Sequence, residues 1–510
     1  MHAKRKALQV LAFVAALPLG ACGSVDDSAL GVAVIGSADD PFASGVRLSM
    51  GGQLVRAATA EGLVAFDEQG RVIPALADRW IVTDDGQSYI FRLRDGDWKN
   101  GDPITGESTR RALRDSLSAL KGTSLGADLS GIDEIKVMAG RVVELRLKRP
   151  MPYLLQLLAQ PELGLFHDKQ GAGPMTMERT ENMATLTPIA PSSLGLPAVE
   201  GWETRTRQIQ LHALDGPEAV EKFNAGEVDL VLGGQVEDFM LTRSVGILRG
   251  TIQLDPVVGL FGLQVMNDRG FLSDPANREA LAMTIDRNAL IAPFGLGGWS
   301  PTTRIVTPSL DGDLGTIGER WTGQSVDERR QIAAARVRSW LSGAGKDDGE
   351  KNKESDADGN AASDATVKLR IWLPEGEGTD VLLEKLTSDF AAIGVSLELA
   401  KDERKADLVL VDDVARYPRA AWFLNRLSCT TRRGLCSKEA DARVAEAGNA
   451  ATPIDRAALL TEAEAELTSA NVYIPFGPPI RWSLVRGSVN GFAANAWGWH
   501  PLMPLAWLPK

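Results

Sequence analysis

The sulfur of Cys22 is the side chain best placed for covalent chemistry in this sequence. It follows Leu19-Gly20-Ala21, the small-residue close of an apolar run from Leu8 to Leu19, and Lys4, Arg5 and Lys6 precede that run. A basic head, a short apolar stretch and small residues before a cut are the marks of an export signal, and the run is too short to span a bilayer as a mature helix. Cleavage after residue 21 would make Cys22 the first mature residue, and its thiol would take a diacylglyceryl group. Each buried methylene of such a chain contributes about 0.8 kcal/mol, so two or three chains hold a soluble body at a membrane. The alternative is an ordinary cleaved signal in which Cys22 is incidental.

The two other cysteines, Cys429 and Cys436, are seven positions apart. In an oxidising compartment they are expected to close a small disulfide loop that contributes about 2 to 3 kcal/mol. A redox or metal pair would call for C-x-x-C spacing or a nearby His, and neither is present. Gly122-Thr123-Ser124-Leu125-Gly126 spells G-x-S-x-G, but it follows a helix rather than a strand. It therefore lacks the strained elbow that exposes a nucleophile and reads as a loop. Beyond residue 21 the histidines are His167, His212 and His500, too dispersed for a zinc site or a His-based triad. No Gly-rich loop opens a helix to cradle phosphate, and no cofactor is expected.

The elements that must position these groups alternate between α and β. A tether over residues 22–30 leads into a first strand, Gly31 to Gly36. A helix-like entry (Gln53 to Leu63), a punctuated strand region (Arg71 to Leu93), a helix (Glu107 to Leu120) and an alternating strand (Val142 to Leu147) follow. Strand Gln208 to Ala213, helix Pro217 to Asn224 and strand Val228 to Leu232 continue the pattern, with further strands at Val367 to Leu373 and Asp407 to Val411. Gly345 to Asp364 is dense in charge, holds no apolar residue larger than Ala, and is expected to be a disordered insertion. No repeat of 20 to 50 residues recurs.

The 510 residues are 44% hydrophobic and 24% charged, enough for two or three lobes with separate cores. The formal net charge is −12, and loss of residues 1–21, which carry three basic side chains and no acid, makes it −15. Such a surface repels nucleic acid and anionic lipid, leaving membrane attachment to the lipid anchor alone.

Several segments, taken in order, resemble extracellular solute-binding protein family 5, the oligopeptide- and dipeptide-binding proteins of ABC importers. They are Glu61-Gly62-Leu63-Val64, Gly70 to Trp80 (GRVIPALADRW), Asp84 to Arg94 (DDGQSYIFRLR) and Trp98 to Thr105 (WKNGDPIT). Gly171-Ala172-Gly173-Pro174, Ala219 to Val231 (AVEKFNAGEVDLV), Leu281 to Leu290 (LAMTIDRNAL) and residues 471–476 (NVYIPF) extend the likeness along most of the chain. The resemblance implies an α/β, bilobal periplasmic-binding-protein-like fold of the class II type, with an extra domain inserted in the first lobe. On that frame residues 1–21 are the signal peptide, and 31–53, 159–255 and 471–510 form lobe I. Residues 54–158 form the insert, and 256–470 form lobe II, with 345–364 as its disordered insertion.

The departures concern the ligand. Peptide-binding relatives carry a segment like W-x-A-D-Y-x-x-P whose Asp pairs with the ligand's ammonium; here Asp413-Val414-Ala415-Arg416-Tyr417-Pro418 puts Arg416 at the Asp position. A cation about 4 Å from a ligand ammonium, at an effective dielectric near 20, repels it by about 4 kcal/mol, roughly a thousandfold in affinity. Arg416 instead suits a carboxylate, sulfonate or phosphate, unless Asp413 pairs with it internally. Gly477-Pro478-Pro479 stands where relatives often place aromatics, followed by Arg481 and Trp482. The expected ligand contacts are Asp413, Arg416 and Tyr417, then Asn267 and Arg481, with Trp422, Trp497 and Trp499 as flat walls.

The expectation is a monomeric, non-enzymatic, lipid-anchored protein of the periplasmic space, held at the inner or outer membrane. It would bind a peptide-like or other small organic solute by lobe closure and hand it to an ABC permease and ATPase complex. The alternative is a solute-binding fold repurposed as a non-transport envelope lipoprotein that meets a protein partner. Gly23, rather than Asp, after the lipobox Cys keeps that alternative open.

Overall fold

The computed structural model describes residues 29–246, 250–347 and 366–508. Cys22 and most of the Gly345 to Asp364 segment lie outside them. Among the described residues there are four β-sheets, a two-stranded one pairing Val64–Phe66 with Val72–Pro74 and three larger ones. The first has seven strands in the order Ile252–Leu254, Trp482–Val485, Leu230–Gly234, Ala29–Ile35, Gln208–Leu214, Met183–Pro188 and Met175–Thr180. Its central strand buries Leu30, Val32, Ala33 and Val34 and runs parallel to both Gln208–Leu214 and Leu230–Gly234. Helix Gly216–Ala225 joins those two parallel strands. Asp215 caps its start by accepting from the Glu218 N–H at 2.9 Å, and Gly226 ends it in a left-handed conformation.

The second sheet has five strands in the order Val395–Leu399, Val367–Trp372, Leu408–Val414, Gly259–Val265 and Tyr473–Gly477. Gly259–Val265 is buried along its whole length, as an apolar strand covered on both faces must be. Within residues 54–158, expected to be an insert, a four-stranded antiparallel sheet over Ala77–Val82, Ser88–Leu93, Val142–Leu147 and Ile132–Ala139 shares its apolar core with the first sheet and packs under helix Gly106–Ala119. Tyr89, Phe91 and Leu93 alternate onto its buried face, as their spacing predicts.

Four expectations need correction. Residues 471–476 do not return to the first lobe. Tyr473–Gly477 pairs with Gly259–Val265 in the second sheet, and Phe476 packs edge-on against Phe261 at 5.5 Å. Pro478 and Pro479 lack N–H donors and end that strand, so it is Trp482–Val485 that re-enters the first sheet. Gly122–Gly126 is not a plain loop: Thr123 caps the short helix Ser124–Asp128, accepting from the Gly126 N–H at 3.0 Å. Helix Val326–Asp347 takes in the first three residues of the charged insertion, and strand Ala29–Ile35 the last two of the tether.

The lobes are therefore joined at residues 255–258 and 478–481. The two crossings touch: the Asp255 N–H donates to the Arg481 carbonyl at 3.0 Å. Elsewhere the lobes meet where the start of helix Glu377–Ala391 reaches the loop after Leu230–Gly234, the Gly378 N–H donating to the Glu237 carbonyl at 2.8 Å.

Candidate functional site

A cavity of about 320 Å³ opens between the two lobes. The first lobe contributes Gln53, from helix Met50–Thr59, together with Glu162 and Gln235. Strand Leu408–Val414 and the turn after it contribute Asp412, Asp413 and Arg416. The second crossing contributes Arg481, and the C-terminal segment contributes Trp497 and Trp499. Every wall comes from a different part of the chain.

Successive strand residues point to opposite faces, so Asp412 and Asp413 find different partners. Arg481 Nη1 donates to Asp412 Oδ1 at 2.7 Å and Nη2 to the Asp412 carbonyl at 2.9 Å. Burial pushes the Asp412 carboxyl above its ordinary value, Arg481 pulls against that, and the neighbouring Asp413 adds to it. Asp413 accepts from Arg426 and lies 3.9 Å from Arg433. The expected internal pair of Asp413 with Arg416 does not form, because Arg426 occupies Asp413 while Arg416 turns across the cleft.

Arg416 Nη1 donates to Ser124 Oγ at 3.2 Å, and Nη2 lies 3.5 Å from Glu162 Oε1. Glu162 is 5% exposed, and its Oε2 has no hydrogen-bond partner. The cation at the family's Asp position is thus partly offset by a first-lobe carboxylate, which reduces the repulsion estimated for a bare guanidinium. Nearby, burial, followed by the Asp412 and Asp238 carboxylates, pushes Glu237 up to about 7 against its own backbone N–H and Arg481.

Three expected ligand contacts lie elsewhere. Tyr417 is wholly buried, its ring stacked on Tyr153 of the insert at 4.1 Å and its hydroxyl donating to Asp128 Oδ1 at 3.1 Å. It docks the second lobe on the insert. Burial raises Asp128 to about 6, with the Tyr417 hydrogen bond and Arg416 acting the other way. Trp422 is core, edge-on to Phe423 at 5.1 Å. Asn267 lies just past the end of strand Gly259–Val265, donating to Asp407 Oδ1 at 3.1 Å, away from the cavity-lining residues. Trp497 does line the cavity, stacked on Phe66 at 5.9 Å and donating from Nε1 to the Gly70 carbonyl at 2.7 Å.

The sequence reading missed Gln53, Glu162, Gln235 and Asp412. Glu162 did leave a signal, as the lone acid in the apolar stretch Leu154 to Phe166. Cys429 and Cys436 are joined as a disulfide with Cα atoms 5.1 Å apart. Gly477 packs directly beneath the Trp299 ring, whose Nε1 donates to the Pro478 carbonyl at 2.9 Å, so Trp299 fills the space that a side chain at 477 would take. Outside the cleft, Asp102, His167 and Asp168 bring three ligand-type atoms within 4.8 Å of one another, with both carboxylates exposed. No helix among the described residues is long and apolar enough to cross a membrane.

Residues 71–434 match the family model for bacterial extracellular solute-binding proteins, family 5 Middle. A probable deoxycholate-binding periplasmic protein of Escherichia coli, YgiS, is 26% identical over 54% of this chain and 56% of its own length. That alignment therefore spans little more than half of the relative. The periplasmic oligopeptide-binding protein OppA of Escherichia coli is 22% identical over 85% of this chain and 84% of its own. Among solved structures, Haemophilus influenzae OppA in complex with RPPGFSPFR superposes with a TM-score of 0.76 at 18% identity, covering 95% of this chain and 99% of that one. At that identity the likeness speaks for the bilobal fold.

Proposed function

The chain belongs to the family 5 bacterial extracellular solute-binding proteins, and from that premise we propose that it captures a small organic or peptide-like solute between its lobes and delivers it to an ABC importer. The observation that carries this reading is the cavity between the lobes, whose walls come from both lobes, one crossing segment and the C-terminal segment. A site split in this way is complete only when the lobes close, and closure driven by the solute is how hinge proteins signal occupancy. Arg416, Asp413, Arg481, Trp497 and Trp499 are the contacts retained from the sequence reading, joined by Glu162 and Asp412. The relatives compared are binding proteins rather than enzymes. Ser124 is engaged by Arg416 rather than by a histidine, which gives a nucleophile reading no support.

Attachment through a lipid on Cys22 belongs to the same proposal and is supported by the Leu19-Gly20-Ala21-Cys22 motif. With it goes the reading of a monomer in the periplasmic space, tethered to the envelope. Labelling with radioactive palmitate should mark the wild-type protein and not Cys22→Ser.

Native mass spectrometry of protein purified from a complex growth medium tests the binding reading. A defined low-mass adduct that is lost on denaturation is expected. A clean mass of the chain alone, with no thermal shift from peptides or organic acids, would favour a repurposed envelope lipoprotein instead.

A further inference from the structure

Three features that the sequence singled out meet in one place. The Gly122–Gly126 stretch, the ring closed by Cys429 and Cys436, and Arg416 all border a second chamber of about 640 Å³. It adjoins the first cavity through the shared residues Gln53, Glu162 and Arg416.

The charge of this chamber is one-sided. Arg47, Lys121, Arg416 and Arg433 line it, and Glu162 is the one acid among its described lining residues. Glu162 already faces Arg416. Asp413, 3.9 Å from Arg433, is engaged more closely by Arg426. Arg433 thus sits among cations: burial, then Arg426 and Arg416, hold its guanidinium below the ordinary value, with Asp413 and Glu403 opposing. Ser124 Oγ accepts from Arg416, which leaves its own proton to donate. Thr430 and Thr431, from the disulfide ring, line the same wall, the Thr431 hydroxyl donating to the Ser428 carbonyl at 2.7 Å.

We propose that this second chamber is a subsite for an anionic group of the captured solute, a carboxylate, phosphate or sulfonate, held chiefly by Arg433 and Lys121 beside Arg416 and Ser124. The inference rests on the solute-binding reading and narrows it. A planar guanidinium and an ammonium around one oxyanion give charge-assisted hydrogen bonds. The main cavity, with Trp497, Trp499 and the Asp412–Arg481 pair, then takes the remainder of the solute.

Isothermal titration of the purified protein with matched pairs tests this. The pairs are N-acetyl-trialanine against its amide, glycerol 3-phosphate against glycerol, and N-acetyltaurine against N-acetylethanolamine. At least one acid should bind about tenfold or more tighter than its neutral counterpart, and the preferred acid identifies the headgroup. Lys121→Gln/Arg433→Gln should cost that acid about tenfold or more and leave its neutral counterpart within about twofold. Both side chains are exposed at the chamber wall, so an unchanged melting temperature should accompany the loss. Equal binding of acids and neutral counterparts, or selectivity that survives the double variant, would overturn the subsite. A neutral co-purifying solute would overturn the subsite and leave the solute-binding reading standing, whereas no bound solute and no titration heat would remove both.

Discussion

Arg304 lies almost wholly out of water between two carboxylates, 2.8 Å from Asp313 Oδ1 and 2.8 Å from Glu464 Oε2. Charges buried together tolerate one another, but removing one partner leaves the other uncompensated, at a cost of about 3 to 5 kcal/mol. Arg304→Met, which leaves both buried carboxylates without their cation, should lower the urea midpoint accordingly, and a midpoint within error of wild type would show that the triad is not a structural clamp. Two acids at the seam between lobes and insert make a different prediction. Asp128 is raised to about 6 and Glu237 to about 7, both first by burial. A folded value above the unfolded one means that the native state holds protons the unfolded chain releases, so this contribution is complete below about pH 4 and is lost as pH rises to about 7. Asp128→Asn/Glu237→Gln should flatten the fall in urea midpoint between pH 5 and 7.5, and a slope identical to wild type would contradict the assignment. Individual residues were the least legible scale in the sequence. Arg416 was visible because it replaces an expected Asp, yet its partner Glu162 lies 254 positions away and no local pattern joins them. Tyr417 was read as a ligand contact from its place beside Arg416 in the family-like segment, and Trp422 from its aromatic type, which cannot distinguish a cleft wall from a core. The structure gives Tyr417 a stacking partner, Tyr153, and places Trp422 against Phe423.

At the scale of elements, periodicity was enough wherever an element packs by its own pattern. The insert sheet, the capped helix Gly216–Ala225 and the strands either side of it were legible because alternation and caps are local signals. Strand Tyr473–Gly477 was recognised as a strand but assigned to the wrong sheet. An apolar run states that it is buried and not against what; the partner strand Gly259–Val265 lies over 200 residues earlier. Helix Glu377–Ala391 carries the sharpest prediction at this scale. Its second residue, Gly378, approaches the Val236 carbonyl so closely that a Cβ would overlap it, and its N–H is bonded to the Glu237 carbonyl. Glycine there permits the lobes to approach closely at the loop carrying Val236 and Glu237. Gly378→Val should hold them apart, raising the radius of gyration and weakening solute binding about tenfold or more, since a competent state that is rarely populated lowers apparent affinity in proportion. Unchanged affinity would show that this contact is not part of the closed state.

For the molecule as a whole, the account is that one cleft is assembled from segments distant in sequence, on a fold with two crossings between lobes. The order of family-like segments made the bilobal architecture readable, and the match over residues 71–434 agrees with it. The sequence alone could not reveal which side chains face one another across the cleft, because that depends on how the two sheets are set by the Asp255 to Val258 and Pro478 to Arg481 crossings. If the cleft is the binding site, solute must protect its walls together. The direct test is hydrogen exchange by mass spectrometry on protein stripped of co-purified solute by unfolding and refolding, before and after that solute is restored. The account predicts simultaneous slowing in segments 160–163, 412–416 and 497–499, on both lobes and the C-terminal segment. Slowing confined to one lobe, or none in any of the three while the solute remains bound, would contradict it.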